Sequence, residues 1–157
     1  MPKEIERKFL IDESIVSELK NGETIKQGYF PTLNTNAIRA RLRGNKGYIT
    51  IKGHQVGATR AEYEYEIPFK EAEEIIENIC DKQVIEKTRY KIKHADHIWE
   101  IDVFEGNNKG LIVAEVEMSD EDEEVELPAW IKDEVTNDLR YSNSNLVKYP
   151  YKLWEKK

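Results

Sequence analysis

Apolar and polar residues alternate one by one along much of the first 118 positions, the period of a half-buried strand. The alternation predicts strands near 3–11, 24–30, 37–43, 47–53, 59–67, 83–93, 98–104 and 111–118. Gly44-Asn45-Lys46-Gly47, His94-Ala95-Asp96-His97 and Gly106-Asn107-Asn108 mark turns between them. A short helix is expected after Asp12, whose side chain can cap it, ending about Lys20 before Asn21-Gly22. After Pro68, the positions Phe69, Ala72, Ile75, Ile76 and Ile79 share one helical face over 69–80. From Ser119 the text reads as helical again: an acidic SDEDEEVE stretch, then PAWIKDEV, then a last short helix near 143–148. Eight or so strands with helices inserted late predict an antiparallel α+β protein, closed or nearly closed. No repeat or linker interrupts the pattern, so one domain is expected over 1–157.

Residues i and i+2 of a strand share a face. On that rule Glu4, Glu6 and Lys8 lie together, opposite Ile5 and Phe9. Arg39, Arg41 and Arg43 stack against Ile38, Ala40 and Leu42. Lys52 joins Thr50 and Tyr48; Arg60, Glu62, Glu64 and Glu66 form a further row. Lys87, Arg89, Lys91 and Lys93 align, as do Glu100 with Asp102 and Glu115 with Glu117. A sheet with one wet face usually mixes small polar and charged residues on that face. Here like charges are piled on single faces, where they repel. The repulsion becomes tolerable if the basic faces surround a polyanion and the acidic faces share a cation.

Charge also narrows the class. Of 157 residues, 35% are charged, and the formal net charge of −7 argues against nucleic acid or an anionic membrane as partner. No apolar run reaches the roughly 20 residues of a membrane span, and the opening Met1-Pro2-Lys3-Glu4 does not resemble a signal peptide. Cys80 stands alone in an apolar helical pattern, which reads as a small buried hydrophobe in a reducing, cytoplasmic setting. No Gly-x-x-x-x-Gly-Lys loop is present, so a P-loop enzyme is excluded. His54, His94 and His97 read as titrating surface residues rather than metal ligands. The run Asp120-Glu121-Asp122-Glu123-Glu124 reads as a solvated helix start. Trp130, Tyr149, Tyr151 and Trp154 are expected to pack helices onto the barrel.

Glu4-Ile5-Glu6-Arg7-Lys8-Phe9 resembles the N-terminal Glu-x-Glu-x-Lys signature of the CYTH superfamily, the triphosphate tunnel metalloenzymes. The resemblance continues in order through Ile38–Arg43, Thr50–Lys52, Arg60–Glu64, Glu86–Tyr90, Glu100–Phe104, Ala114–Glu117 and Val135–Tyr141. Each motif alone is weak; eight in sequence are specific. The resemblance implies an eight-stranded antiparallel closed barrel, a tunnel with a charged lumen and peripheral helices. It looks most like the short bacterial tripolyphosphatases, with class IV adenylate cyclases and thiamine triphosphatases as relatives.

Metal-dependent hydrolysis of inorganic triphosphate, or of a related triphosphate or polyphosphate, is therefore the expected function. Cleaving a P–O–P bond requires cations along the chain and an ion that orients water and neutralises developing charge. Lys8, Arg39, Arg41, Lys52, Lys87 and Arg89 are the expected substrate contacts, and Arg140 joins them on the resemblance alone. Glu4, Glu6, Glu115 and Glu117 are the expected ligands of a divalent Mg²⁺ or Mn²⁺, with Glu62, Glu64 and Asp102 completing a second site or positioning water. One of these glutamates would act as base, and Lys8 would stabilise the leaving phosphate. Lys91 and Lys93 are expected to lie solvated near the mouths. A class IV-type adenylate cyclase forming cyclic AMP, and a non-catalytic polyphosphate-binding module, are the alternative readings. The partner expected is a small molecule, with the protein a monomer or homodimer.

Overall fold

The computed structural model describes residues 2–33, 35–80 and 82–154. Its strands are β1 (Lys3–Ile11), β2 (Glu23–Tyr29), β3 (Ala37–Arg43), β4 (Lys46–Lys52), β5 (Thr59–Ile67), β6 (Val84–His94), β7 (His97–Phe104), β8 (Ile112–Glu117) and β9 (Ile131–Glu134). Helix α1 spans Phe69–Asn78 and α2 spans Asn143–Lys148. The strands are hydrogen-bonded in the order β5-β4-β3-β2-β6-β7-β8-β1-β9. A further pairing of β1 with β5, Lys3 to Ala61 and Ile5 to Thr59, closes eight strands into an antiparallel barrel. β9 lies outside the ring on β1, with a register shift between Phe9 and Ile11. Closure turns one face of every strand into a lumen wall, which is what the charged parity rows require.

Two-residue turns set the hairpins. Gly44 takes a φ of +60 between β3 and β4, and Ala95 a φ of +55 between the paired His94 and His97. The primed turns that match strand twist need such positive φ values, and glycine adopts them at least cost.

The core lies largely outside the lumen. Phe9, Ile11, Trp99, Ile101, Ala114 and Val116 form a cluster on the outer face of β1, β7 and β8, covered by Ile15, Leu19, Trp130 and Ile131. Trp99 meets Trp130 edge-on at 5.8 Å. On the other side α1 buries Ala72 and Ile76. That approach depends on Gly47 and Gly28: a Cβ at the first would meet Ala72 Cβ at 2.8 Å, and at the second Cys80 Cβ at 2.7 Å. Cys80 is 1% exposed, as a small hydrophobe should be. Among the described residues no helix is long and apolar enough to cross a membrane.

A second cluster occupies the lumen itself at one end. Tyr29, Ala37, Ile85, Phe104, Leu111 and Val113 have lumen parity and pack with Leu146 of α2, backed by Tyr141, Tyr151 and Trp154. Trp154 contacts the rings of Tyr141 and Tyr151, each at 5.1 Å. The late aromatics therefore fix α2 over this end.

Three expected helical segments are corrected. The stretch after Asp12 is a 3-10 helix, Glu13–Glu18, with Asp12 accepting from the Ser14 N–H at 2.9 Å. The acidic run is a turn, because its carboxylates bind local backbone instead of leaving it to a helix: Asp120 accepts from the Asp122 N–H and Glu123 from the Ser119 N–H. The other oxygen of Glu123 bonds the half-buried His97 ring, and His94 pairs with Glu126 at 3.1 Å. PAWIKDEV, read as helical, supplies β9; the Val135 N–H then reaches the Lys8 carbonyl at 2.8 Å.

Candidate active site

The lumen holds a cavity of about 240 Å³. Eight lysine or arginine and seven glutamate side chains line it among the described residues. The ring order sorts them into two arcs. β4, β3 and β6, with β2 between the last two, present Lys52, Arg39, Arg41, Arg43, Lys87 and Arg89. β8, β1 and β5 present Glu115, Glu117, Glu4, Glu6, Glu62 and Glu64, with Glu100 of β7 beside them. Lys8 and Arg60 are the cations on the acidic side.

Within the basic arc, the cations differ in how far they are neutralised. Lys52 Nζ lies 2.7 Å from Glu4 and 3.2 Å from Glu62. Arg39 is 8% exposed, its nearest carboxylate is Glu64 at 3.8 Å, and its buried Nε has no hydrogen-bond partner. A native structure rarely leaves such a donor unpaired, and a ligand oxygen is the natural acceptor in a lumen. Arg41 is 4% exposed, and burial, then Arg39 and Arg89, push its guanidinium down to about 9. Lys8 stands 3.7 Å from Glu115 and donates to the Tyr141 carbonyl at 3.3 Å.

The carboxylates are tuned unequally. Burial opposes the charge of Glu4, but Lys52 and a hydrogen bond with Glu62 hold its carboxyl down at about 2. Glu62 moves the other way, to about 6, through burial and the bond to Glu4. Glu6 is raised well above the carboxylate range by the enclosing wall, then by Glu115 and Glu4. Glu117 is raised by burial, Glu4 and Glu100. This mutual repulsion is what a shared cation would relieve, and an all-carboxylate donor set fits a hard divalent ion. Among the described residues no three acidic, histidine or cysteine side chains converge tightly enough to form a metal cage. Mg²⁺-type ions commonly take only one or two carboxylates and complete their shell with phosphate oxygens and water, which matches this spacing.

Two expected site residues sit elsewhere. Asp102 is 1% exposed and does not line the cavity; its oxygens accept from Lys87 Nζ and Arg89 Nε, each at 2.7 Å, and from Arg89 Nη2 at 2.9 Å. Arg89 and Lys87 hold its carboxyl well below the usual range against the cost of burial. Both its oxygens are committed, so it aims cations and is not placed as a metal ligand. Arg140 is outside the lining too. Asp138 grips its guanidinium at 2.6 Å and it lies over the Trp154 ring at 5.1 Å. The remaining expected residues, Lys8, Glu4, Glu6, Glu62, Glu64, Arg39, Arg41, Lys52, Lys87, Arg89, Glu115 and Glu117, are brought together on one cavity. The structure adds Gln27 behind the basic arc, and Asn143, Arg60 and Glu100 on the wall.

The CYTH domain model matches residues 2–151. An inorganic triphosphatase of Acetivibrio thermocellus is 49% identical over 152 residues, covering 97% of this chain and 97% of that protein. An inorganic triphosphatase of Nitrosomonas europaea is 38% identical over 149 residues, covering 92% and 96%. A crystal structure of an inorganic triphosphatase superposes with a TM-score of 0.67 at 35% identity, covering 94% of this chain and 95% of the other. With a family match running from strand β1 into the segment that follows α2, the chain belongs to the CYTH domain family.

Proposed function

We propose that this chain hydrolyses inorganic triphosphate with the help of a divalent cation of the Mg²⁺ or Mn²⁺ kind. The observation that carries the reading is the sorting of lumen charge into a basic and an acidic arc around one cavity. Two related proteins of this length and family carry the name inorganic triphosphatase. Arg39, Arg41, Lys52, Lys87 and Arg89 grip the phosphate chain, the arginines as planar forks and the lysines as point charges. One or two of Glu4, Glu6, Glu115 and Glu117 would hold the cation, which would supply charge neutralisation and Lewis acidity at the phosphoryl oxygens. Glu4 and Glu62 are carboxyls pushed apart, about 2 against about 6, which makes Glu62 the group that accepts a proton from water above that pH. Lys8 lies on the acidic side and balances charge on the departing phosphate. The lone Cys80, buried and free, suits a reducing cytoplasm.

The test is a panel of tripolyphosphate, ATP and thiamine triphosphate with purified protein in Mg²⁺, Mn²⁺ or excess EDTA. Tripolyphosphate should yield orthophosphate and pyrophosphate with metal only. Undiminished release in EDTA would remove the metal from the reading. Cyclic AMP from ATP as the main product would replace hydrolysis by cyclisation.

A further inference from the structure

We propose that Gln27 is a positioning residue that aims Arg41 at the substrate while leaving its charge unneutralised, and that Asn143 links this brace to Lys87 and to α2. The assignment rests on the lumen being an anion site.

Gln27 is fully buried on β2, the strand between the arginines of β3 and the cations of β6. Its Oε1 accepts from Arg41 Nε at 2.7 Å, and its Nε2 donates to Tyr29 Oη at 2.9 Å and Asn143 Oδ1 at 3.1 Å. The amide orientation is unambiguous, because an arginine Nε can only donate. Asn143 Oδ1 also accepts from Lys87 Nζ at 2.9 Å, which fixes that amide in turn. Three strands and α2 thus meet in one chain of neutral hydrogen bonds that ends on two lumen cations.

The neutrality is the informative feature. Lys52, Arg39, Arg43, Lys87, Arg89 and Lys8 each lie within 4.0 Å of a carboxylate. Arg41 has no such neighbour among the described residues, although it is buried. A buried cation without a counter-charge is costly, and the cost is removed when an anion arrives. A glutamate at position 27 would have nearly the same shape and would meet Arg41 more strongly. It would also cancel in advance the charge that the substrate is to neutralise. A glutamine orients the fork and leaves its charge for the ligand.

Gln27→Glu and Gln27→Met separate this role from packing. Met keeps the length but loses the bonds; Glu keeps the bond from Arg41 and the shape, adds the charge, and gives up the donor to Asn143. Tripolyphosphate binding to metal-free protein is measured by calorimetry, alongside kcat and KM with metal and circular dichroism for folding. The expected order of affinity is wild type, then Met, then Glu, with Glu at least tenfold weaker and KM raised more than kcat is lowered. A packing or purely structural role gives the reverse order, Glu nearest to wild type, and overturns the assignment. If Gln27→Glu does not fold, Gln27→Met carries the test alone, and affinity and KM equal to wild type there overturn the assignment. A wild type that binds tripolyphosphate without cleaving it sinks the hydrolase reading and leaves this assignment standing; one that binds none sinks both.

Discussion

Asp102 shows most clearly how one residue serves both fold and site. It is buried with Lys87 and Arg89, and neither cation has another carboxylate as close. Asp102→Asn keeps the shape and removes the charge, leaving two cations facing Arg41 without their shared anion. Breaking a buried pair from one side costs about 3–5 kcal/mol, so denaturant unfolding at pH 7 should show a loss of that order. The pH dependence has a definite sign. The Asp102 carboxyl is depressed in the folded state, so its stabilisation is present above the unfolded pKa of about 3.9 and is lost as pH falls below it. The asparagine variant has no such group to titrate. Its stability deficit should therefore shrink between about pH 5 and pH 3; a deficit that stays constant across that range would show that the pair is not ionised in the native protein.

Among the elements, α1 makes the tightest demand on the barrel. Gly47→Ala places a methyl 2.8 Å from Ala72 Cβ, with the Ile67 carbonyl at 3.1 Å and Phe69 Cα at 3.2 Å, so backbone itself must move. Gly53→Ala, one residue past the far end of β4, meets only Ala61 Cβ at 3.4 Å. Overpacking typically costs about 1–3 kcal/mol, so urea unfolding should place the first variant well below the second; equal midpoints would mean that α1 is not docked as described. Elements of this kind were largely legible beforehand. β3 and β5 begin and end where alternation puts them, because a wall with lumen on one side and helix or solvent on the other imposes period two. β9 was not legible: four residues with one half-buried isoleucine carry no periodic signal, and the pairing with Phe9 and Ile11 of β1 fixes it. The lumen rows were legible as charge rows, yet partners were not. Parity brings Asp102 to the lumen side beside Glu100, but only the third dimension shows that Lys87 and Arg89 consume it. Arg140 is the opposite case, since Asp138 two residues earlier takes its fork locally. Gln27 was passed over because an uncharged residue among charged rows carries no electrostatic signature.

At the scale of the whole molecule, the protein carries a net charge of −7 and yet concentrates cations along one arc of its lumen. Distant attraction for a polyanion is therefore weak, and binding must come from short-range, desolvated contacts inside the barrel. The two arcs then make separable contributions. Tripolyphosphate without metal should still bind the basic arc and raise the melting temperature, since a ligand of the native state stabilises by mass action, about 2.7 kcal/mol at a hundred times Kd. Glu117→Gln changes a lumen carboxyl of the acidic arc without disturbing an ion pair among the described residues. It should abolish most turnover yet keep or enlarge the metal-free thermal shift, because a carboxylate that repels phosphate is gone. Arg39→Ala removes a fork whose Nε is unpaired in the lumen, so it should shrink the shift while leaving the unliganded protein folded. Thermal melts at fixed ionic strength, run beside phosphate-release assays, read both quantities. A Glu117→Gln variant that turns over normally, or an Arg39→Ala variant with the full shift, would show that the arcs do not divide metal from substrate.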